Sequence, residues 1–121
     1  MVENGLNNLL LEDLDLILIE NVGNLICPAE FALGEHKKVI LLSIPEGDDK
    51  PEKYPLMFTE ADAVVINKID LLPYLDFDMS VFNKAINELN PGVKIFYLSC
   101  KTGEGLETWF SWLNDELEQK I

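Results

Sequence analysis

Four short apolar runs, each followed by polar residues, place the strongest constraint on what this chain can fold into. They cover residues 16–19, 39–44, 63–66 and 94–98. Apolar runs of this length, here interrupted only by Ser43 and preceded in the last run by Lys94, are typical of strands that are buried on both faces, as in a parallel sheet;. The polar residues that follow them are therefore expected at the carboxyl ends of the strands, where ligands bind to such sheets.

Helical patterns fill the intervals between these runs. An apolar stripe over residues 79–89 predicts a helix that Asp78 caps, and a second stripe covers residues 106–117;. A weaker amphipathic pattern occupies the first twelve residues;. Strands that alternate with helices predict an α/β fold, with a parallel sheet, helices on both faces and right-handed crossovers. We expect one domain over residues 1–121.

The segment between Asp49 and Glu60 is also expected to be helical. Pro51 suits a first helical turn, where its missing N–H is not needed. Pro55 implies a kink or a later start, because proline restricts the residue before it and cannot donate a hydrogen bond.

Charge and composition exclude several classes of function. Nine basic and 22 acidic side chains give a net charge of −13, which repels a phosphate backbone, so no nucleic-acid partner is expected;. The charge is better explained by a solvated surface than by a specific basic partner. The apolar runs are too short to span a membrane, and the first residues lack the features of a secretory signal. We expect a cytoplasmic protein whose two cysteines form no disulfide framework.

A candidate base-binding loop follows the third run. Asn67, Lys68 and Asp70 form the pattern Asn-Lys-x-Asp, which resembles the guanine-specificity motif of GTPases. One carboxylate can accept hydrogen bonds from both N1–H and the exocyclic amine of guanine, whereas adenine has no N1–H. The resemblance implies that Asp70 reads the base, that the stem of Lys68 covers its plane, and that Asn67 braces the loop. The alternative is an ordinary surface turn after a strand.

A second loop follows the last run, about 30 residues further on, as one βα unit requires;. Ser99, Cys100 and Lys101 resemble the second base-contacting loop of GTPases, which is commonly Ser-Ala-Lys. The resemblance implies that the backbone N–H of Cys100 donates to guanine O6 and that Lys101 covers the other face of the base. For the Cys100 side chain we favour a small buried hydrophobe over a reactive thiol.

Glu20 and Gly23 follow the first run in the pattern Glu-x-x-Gly, which resembles the loop that senses Mg²⁺ and the γ-phosphate. In this interpretation Glu20 holds a Mg²⁺-bound water, and Gly23 lets a backbone N–H approach a phosphate oxygen. The alternative is a plain turn at the end of a strand.

Longer strings at residues 20–31, 46–51 and 53–58 resemble the nickel-incorporation GTPases that help mature [NiFe] hydrogenases and, in some organisms, urease. The resemblance extends over about residues 11–112. It implies that Cys27, before Pro28, contributes to a Ni²⁺ or Zn²⁺ site at the interface of a nucleotide-dependent homodimer. It further implies binding of GTP or GDP with Mg²⁺, and hydrogenase maturation proteins as partners. A thiolate suits these metal ions, although a single cysteine is also a common structural residue. We interpret His36, the sole histidine, as a surface residue.

No Gly-x-x-x-x-Gly-Lys-Ser/Thr sequence occurs in the chain, so the loop that cradles the β- and γ-phosphates is absent;. The resemblance therefore implies the carboxy-terminal part of a GTPase domain, which is a partial P-loop GTPase (G-domain) fold. We expect no catalytic residue, negligible GTP hydrolysis by this chain alone, and a partly uncovered sheet. The alternative function is a non-catalytic GTPase-like module for dimerisation or docking. A metal store is disfavoured, because one histidine and one cysteine cannot complete a tetrahedral site.

Overall fold

The computed structural model describes residues 37–120, together with Leu16 and Leu18. Strands and helices alternate along the described chain, as the apolar runs predict. Two 3₁₀ turns, Ile44–Glu46 and Ile69–Tyr74, follow the first and second strands. The strands and α-helices are β1 (Val39–Ser43), α1 (Lys50–Lys53), α2 (Pro55–Thr59), β2 (Ala63–Asn67), α3 (Met79–Leu89), β3 (Lys94–Tyr97) and α4 (Leu106–Lys120).

The three strands form a parallel sheet in the order β1-β2-β3. Ser43 lies opposite Asn67 in the register, so the carboxyl ends of β1 and β2 meet at one edge. The strands agree with the predicted runs to within one residue. β1 stops at Ser43 because Pro45 has no N–H for the ladder, and the carboxylate of Glu46 accepts from the backbone N–H of Ser43 at 2.7 Å instead;.

Helices cover both faces of this sheet, as predicted. On one face, alternate side chains of β1 and β2 pack against Phe58 of α2 and against Phe82 and Ile86 of α3. On the other face, α4 covers β2 and β3 with Trp109 and Trp112, whose rings stack 5.5 Å apart. The sheet residues in these two layers are Ile40, Leu42, Val64 and Ile66 on the first face, and Ala63, Val65, Phe96 and Leu98 on the second.

Part of the second face is exposed. Val39 and Leu41 of β1 lie opposite Ala63 and Val65 in the register, on the same side of the sheet;. Their side chains are 37% and 65% exposed, whereas Ala63 and Val65 are buried under α4. The cover provided by α4 therefore does not extend over β1.

The helix boundaries follow local chemistry. Asp78 caps α3 and accepts from the backbone N–H groups of Ser80 and Val81 at 2.9 and 3.1 Å, which confirms its predicted role;. The segment between Asp49 and Glu60, predicted to be helical with a kink or a later start at Pro55, forms two helices, α1 and α2. They separate at Tyr54, whose φ of −131° and ψ of 59° are not helical, because Pro55 disfavours helical backbone in the residue before it;.

Several predictions fall on residues outside the described part of the chain. These are the helix over the first twelve residues, most of the strand at residues 16–19, and the roles of Glu20, Gly23, Cys27 and His36. Leu16 and Leu18 are described; they are 43% and 79% exposed and belong to no strand, contrary to the buried strand predicted there. A strand needs a paired neighbour, and in the described sheet β1 pairs only with β2;. No helix in the described segments has the length and apolar character needed to cross a membrane.

Candidate nucleotide-binding site

The loops after β2 and β3 meet at the carboxyl edge of the sheet and line an open cavity of about 320 Å³. Both predicted base-contacting loops contribute to its wall. The cavity is lined by Asn67, Lys68, Asp70, Leu71, Cys100 and Lys101. Two segments about 30 residues apart in the sequence thus meet around one cavity, as the parallel topology requires.

The first loop turns sharply at Lys68. Its backbone is left-handed, with φ of 65° and ψ of 35°, and within residues 37–120 it is the sole non-glycine residue with positive φ. This conformation costs roughly 1–2 kcal/mol for a residue with a Cβ. The side chain of Asn67 supports the turn, because its Oδ1 accepts from the Lys68 N–H at 2.7 Å. The turn redirects the chain from β2 into the 3₁₀ turn that carries Asp70.

Ser99 fixes the carboxylate of Asp70. Its hydroxyl donates to Asp70 Oδ1 at 2.8 Å and accepts from the Thr102 N–H at 3.2 Å. The Ser99 side chain is fully buried, with an exposed fraction of 0%. Ser99, predicted to be a base-binding residue, therefore holds the carboxylate in place and does not line the cavity.

Asn67 joins the two loops directly. In addition to the Lys68 N–H, its Oδ1 accepts from the backbone N–H of Cys100 at 3.1 Å. One amide oxygen therefore serves both base-contacting loops. The shape of the cavity therefore depends on this side chain as well as on the backbone.

The Cys100 side chain is exposed and its thiol is free. The prediction of a small buried hydrophobe at this position is wrong. The preceding residue, Ser99, turns inward to meet Asp70, and Cys100 then faces the cavity at the edge of the sheet. At this turn the hydrogen bond to Asp70 determines that Ser99 is the buried residue. The apolar character of the Cys100 side chain does not bury it.

Residues 1–97 match the family of CobW/HypB/UreG nucleotide-binding domains. The chain belongs to this family. It is 47% identical over 116 residues to the hydrogenase maturation factor HypB of Escherichia coli K12, covering 96% of this chain and 40% of that protein. The family match ends before the second loop, whereas the alignment with the Escherichia coli protein covers both loops that form the cavity.

Two solved structures of family members have the same fold. HypB from Helicobacter pylori, crystallised in complex with nickel, is 40% identical with a TM-score of 0.77, over 82% of this chain and 46% of that one. HypB from Archaeoglobus fulgidus is 43% identical with a TM-score of 0.73, over 77% of this chain and 50% of that one. These matches confirm the predicted α/β fold as part of a P-loop GTPase fold. The chain spans half or less of the length of these three relatives.

Two residues of the site were not predicted from the sequence. Leu71 follows Asp70 in the sequence and is the aliphatic residue among those that line the cavity. Gly105 lies where the chain passes over the end of β3: a Cβ there would be 2.2 Å from the carbonyl oxygen of Tyr97, and its φ is +78°. A close approach of this kind requires glycine, so a glycine just after the second loop is the feature of the sequence that could have indicated it.

The metal-binding part of the prediction involves Glu20 and Cys27, which lie outside the described residues. Within the described ranges, no three His, Cys, Asp or Glu side chains are placed to hold a metal ion together. The metal roles of Glu20 and Cys27 therefore stay predictions.

Proposed function

We propose that this chain is the guanine-nucleotide-binding and metal-binding part of a GTPase that delivers nickel during the maturation of [NiFe] hydrogenase or urease. The observation that supports this most is the pair of hydrogen bonds that the Ser99 hydroxyl donates to Asp70 and the Cys100 N–H donates to Asn67. They hold two loops around one cavity, with a carboxylate oriented by a buried hydroxyl. Membership of the CobW/HypB/UreG family supports the same conclusion.

Guanine recognition in this proposal begins with Asp70. Its carboxylate has acceptor capacity beyond the bond from Ser99, because each oxygen has two lone-pair sites;. N1–H and the exocyclic amine of guanine both donate to it, and adenine cannot supply this pair. Lys68 and Lys101 line the same cavity and place their aliphatic stems over the two faces of the base;.

The chain offers fewer groups to bind the phosphates of the nucleotide than to bind the base. The chain contains no Gly-x-x-x-x-Gly-Lys-Ser/Thr sequence, so the backbone donors and the lysine of such a loop are missing from it;. In the proposal Gly23 approaches a phosphate and Glu20 holds a Mg²⁺-bound water. Phosphoryl transfer depends on positioning and on stabilisation of charge, so the proposed role of this chain is binding without hydrolysis.

The nickel function rests on Cys27, with a cysteine thiolate as the ligand for Ni²⁺ or Zn²⁺. One relative with the same fold was crystallised with nickel. We propose that two copies of the chain share this metal in a homodimer in the cytoplasm, and that hydrogenase maturation proteins are its partners. A shared site supplies the ligands that one chain lacks.

Nickel titration tests this part of the proposal. Ni²⁺ is titrated into the wild-type chain with GTP and Mg²⁺, and into Cys27→Ala and the matched control Cys100→Ala. We expect Cys27→Ala to abolish binding and Cys100→Ala to retain it. Equal nickel affinity in wild type and Cys27→Ala would contradict a ligand role for Cys27.

A further inference from the structure

The outer edge of β1 has no neighbouring strand in the described sheet, where β1 pairs only with β2. The backbone groups of Lys38 point toward β2, because its carbonyl oxygen accepts from the Asp62 N–H at 2.8 Å. Backbone groups alternate in direction along a strand, so those of Val39 and Leu41 point away from β2. No other described residue pairs with these outward groups. Val39 and Leu41 therefore each offer one donor and one acceptor at the edge.

The carboxyl end of this edge is already closed. The N–H of Ser43 also points away from β2, and the carboxylate of Glu46 accepts from it at 2.7 Å. Pro45, two residues after Ser43, has no N–H with which to extend a ladder;. The open part of the edge is thus confined to the first residues of β1.

This open part lacks the features that keep an edge strand from pairing. The sequence of β1, Val-Ile-Leu-Leu-Ser, contains no charged residue and no proline;. The side chains of Val39 and Leu41 are 37% and 65% exposed, on the face of the sheet that α4 leaves uncovered at β1. An apolar edge strand with unpaired backbone groups is a template for a further strand.

Twofold symmetry matches this edge to itself. A twofold axis that passes through the sheet at Ile40 makes two β1 strands antiparallel and places Val39 of each copy opposite Leu41 of the other. These are the residues with the unpaired groups, so each outward N–H meets a carbonyl oxygen. The bond between Ser43 and Glu46 is left intact. Opposite residues of antiparallel strands share one face of the sheet, so the exposed Val39 and Leu41 side chains pack beside those of the other copy.

Charges at the two ends of this arrangement are complementary. Lys37 lies just before β1, and in this register it is opposite Ser43 of the other copy. The Glu46 carboxylate lies at that serine, because it accepts from the N–H at 2.7 Å and from the hydroxyl at 3.1 Å. A cation of one chain thus approaches a carboxylate of the other at each end. Such a match favours this register between two chains that each have a net charge of −13;.

We infer that the outer edge of β1 is an interaction surface for a second copy of this chain, with the two strands antiparallel and Ile40 on the twofold axis. The two sheets join into one continuous sheet across both copies. This interface differs from the metal-sharing dimer proposed above, because its contacts come from β1 and need neither nucleotide nor metal. The two proposals can therefore fail independently.

Sedimentation velocity without nucleotide and with EDTA tests the association, over about a hundredfold range of protein concentration. We expect the mass to rise with concentration from one chain toward two. Leu41→Pro removes the outward donor but no bond between β1 and β2, and it should weaken the dimer by at least about tenfold. Leu41→Val keeps the donor and, as the matched control, should dimerise like wild type. A wild type that stays monomeric, or a folded Leu41→Pro that dimerises equally well, overturns the inference.

Amide hydrogen exchange of the wild type, measured by NMR at the same concentrations, locates the interface without a variant. We expect protection of the Val39 and Leu41 amides to grow with the dimer fraction, and the Ser43 amide to be protected throughout. Protection of Val39 and Leu41 in the monomer would show that another segment of the same chain occupies the edge. A dimer that leaves both amides unprotected would use another surface. Either result overturns the inference, while the proposed function is tested separately with GDP and Ni²⁺.

Discussion

The hydroxyl of Ser99 donates a 2.8 Å hydrogen bond to Oδ1 of Asp70, a residue 29 positions earlier in the chain. The bond joins the two base-contacting loops, and Asp70 also lines the cavity between them. It fixes the direction in which the carboxylate presents its remaining lone pairs. Ser99 is therefore a positioning residue, which acts on the base through Asp70.

Replacing Ser99 with Ala is expected to weaken GDP binding by about tenfold, because one hydrogen bond to a charged group is lost and Asp70 becomes mobile. Calorimetric titration with GDP measures the effect. Ser80→Ala, at an exposed position in the first turn of α3, is the matched control and should bind like wild type. An unchanged GDP affinity in Ser99→Ala would show that Asp70 is held in place without this bond.

The fold was largely predictable because its strands and longer helices are set by local patterns. The pattern of apolar residues in the sequence determines β1, β2, β3 and α3, and no tertiary contact overrides it. Between Asp49 and Glu60 the sequence predicted a helix with a kink or a later start at Pro55; the structure has two helices, and the second begins at Pro55 after the non-helical Tyr54.

The cavity was predictable only in part. Motif spacing located the residues that line it apart from Leu71. The exposure of Cys100 and the burial of Ser99 depend on a hydrogen bond between loops, which no single segment encodes. Gly105 was missed for the same reason, since its close contact is with the end of β3. Side-chain placement at a loop junction is a tertiary property.

Gly105→Ala should destabilise the fold by at least about 2 kcal/mol, through the cost of positive φ and a clash with backbone. The added Cβ would lie 2.2 Å from the carbonyl oxygen of Tyr97, which cannot move without distorting β3. Gly103→Ala is the matched control: its φ is +87°, but nothing lies within 4 Å of the added Cβ. Urea denaturation should show the larger loss for Gly105→Ala, and equal losses would refute the close approach.

The raised pKa of Tyr97 predicts that the folded protein loses stability at alkaline pH. Burial raises the pKa of its phenol from 10.0 to about 12, and its hydroxyl donates to Asn83 Oδ1. The folded state keeps the proton at a pH where the unfolded state releases it, so this stabilisation is complete below pH 10 and is lost as the pH rises through 12;. Chemical denaturation across this range should show a steeper decline for wild type than for Tyr97→Phe. Tyr74→Phe, at a side chain that is 80% exposed, should decline like wild type.

GTP hydrolysis by the purified chain is expected to be negligible even with Mg²⁺, because the sequence supplies no phosphate-cradling glycine loop and no lysine following a glycine;. A steady-state phosphate-release assay measures it, with buffer and GTP alone as the reference. A Mg²⁺-dependent rate at the level of full-length relatives would refute the expectation.

Recognition of guanine by Asp70 is the central claim, and calorimetric titration of the same chain with GDP and ADP tests it most directly. We expect GDP to bind at least about a hundredfold more tightly than ADP, because adenine leaves the carboxylate without its two donors. Asp70→Asn should lower the GDP affinity by about ten- to a hundredfold. The control Asp76→Asn, at an exposed position, should bind GDP like wild type. Equal affinities for GDP and ADP, or an Asp70→Asn variant that binds GDP like wild type, would contradict the account.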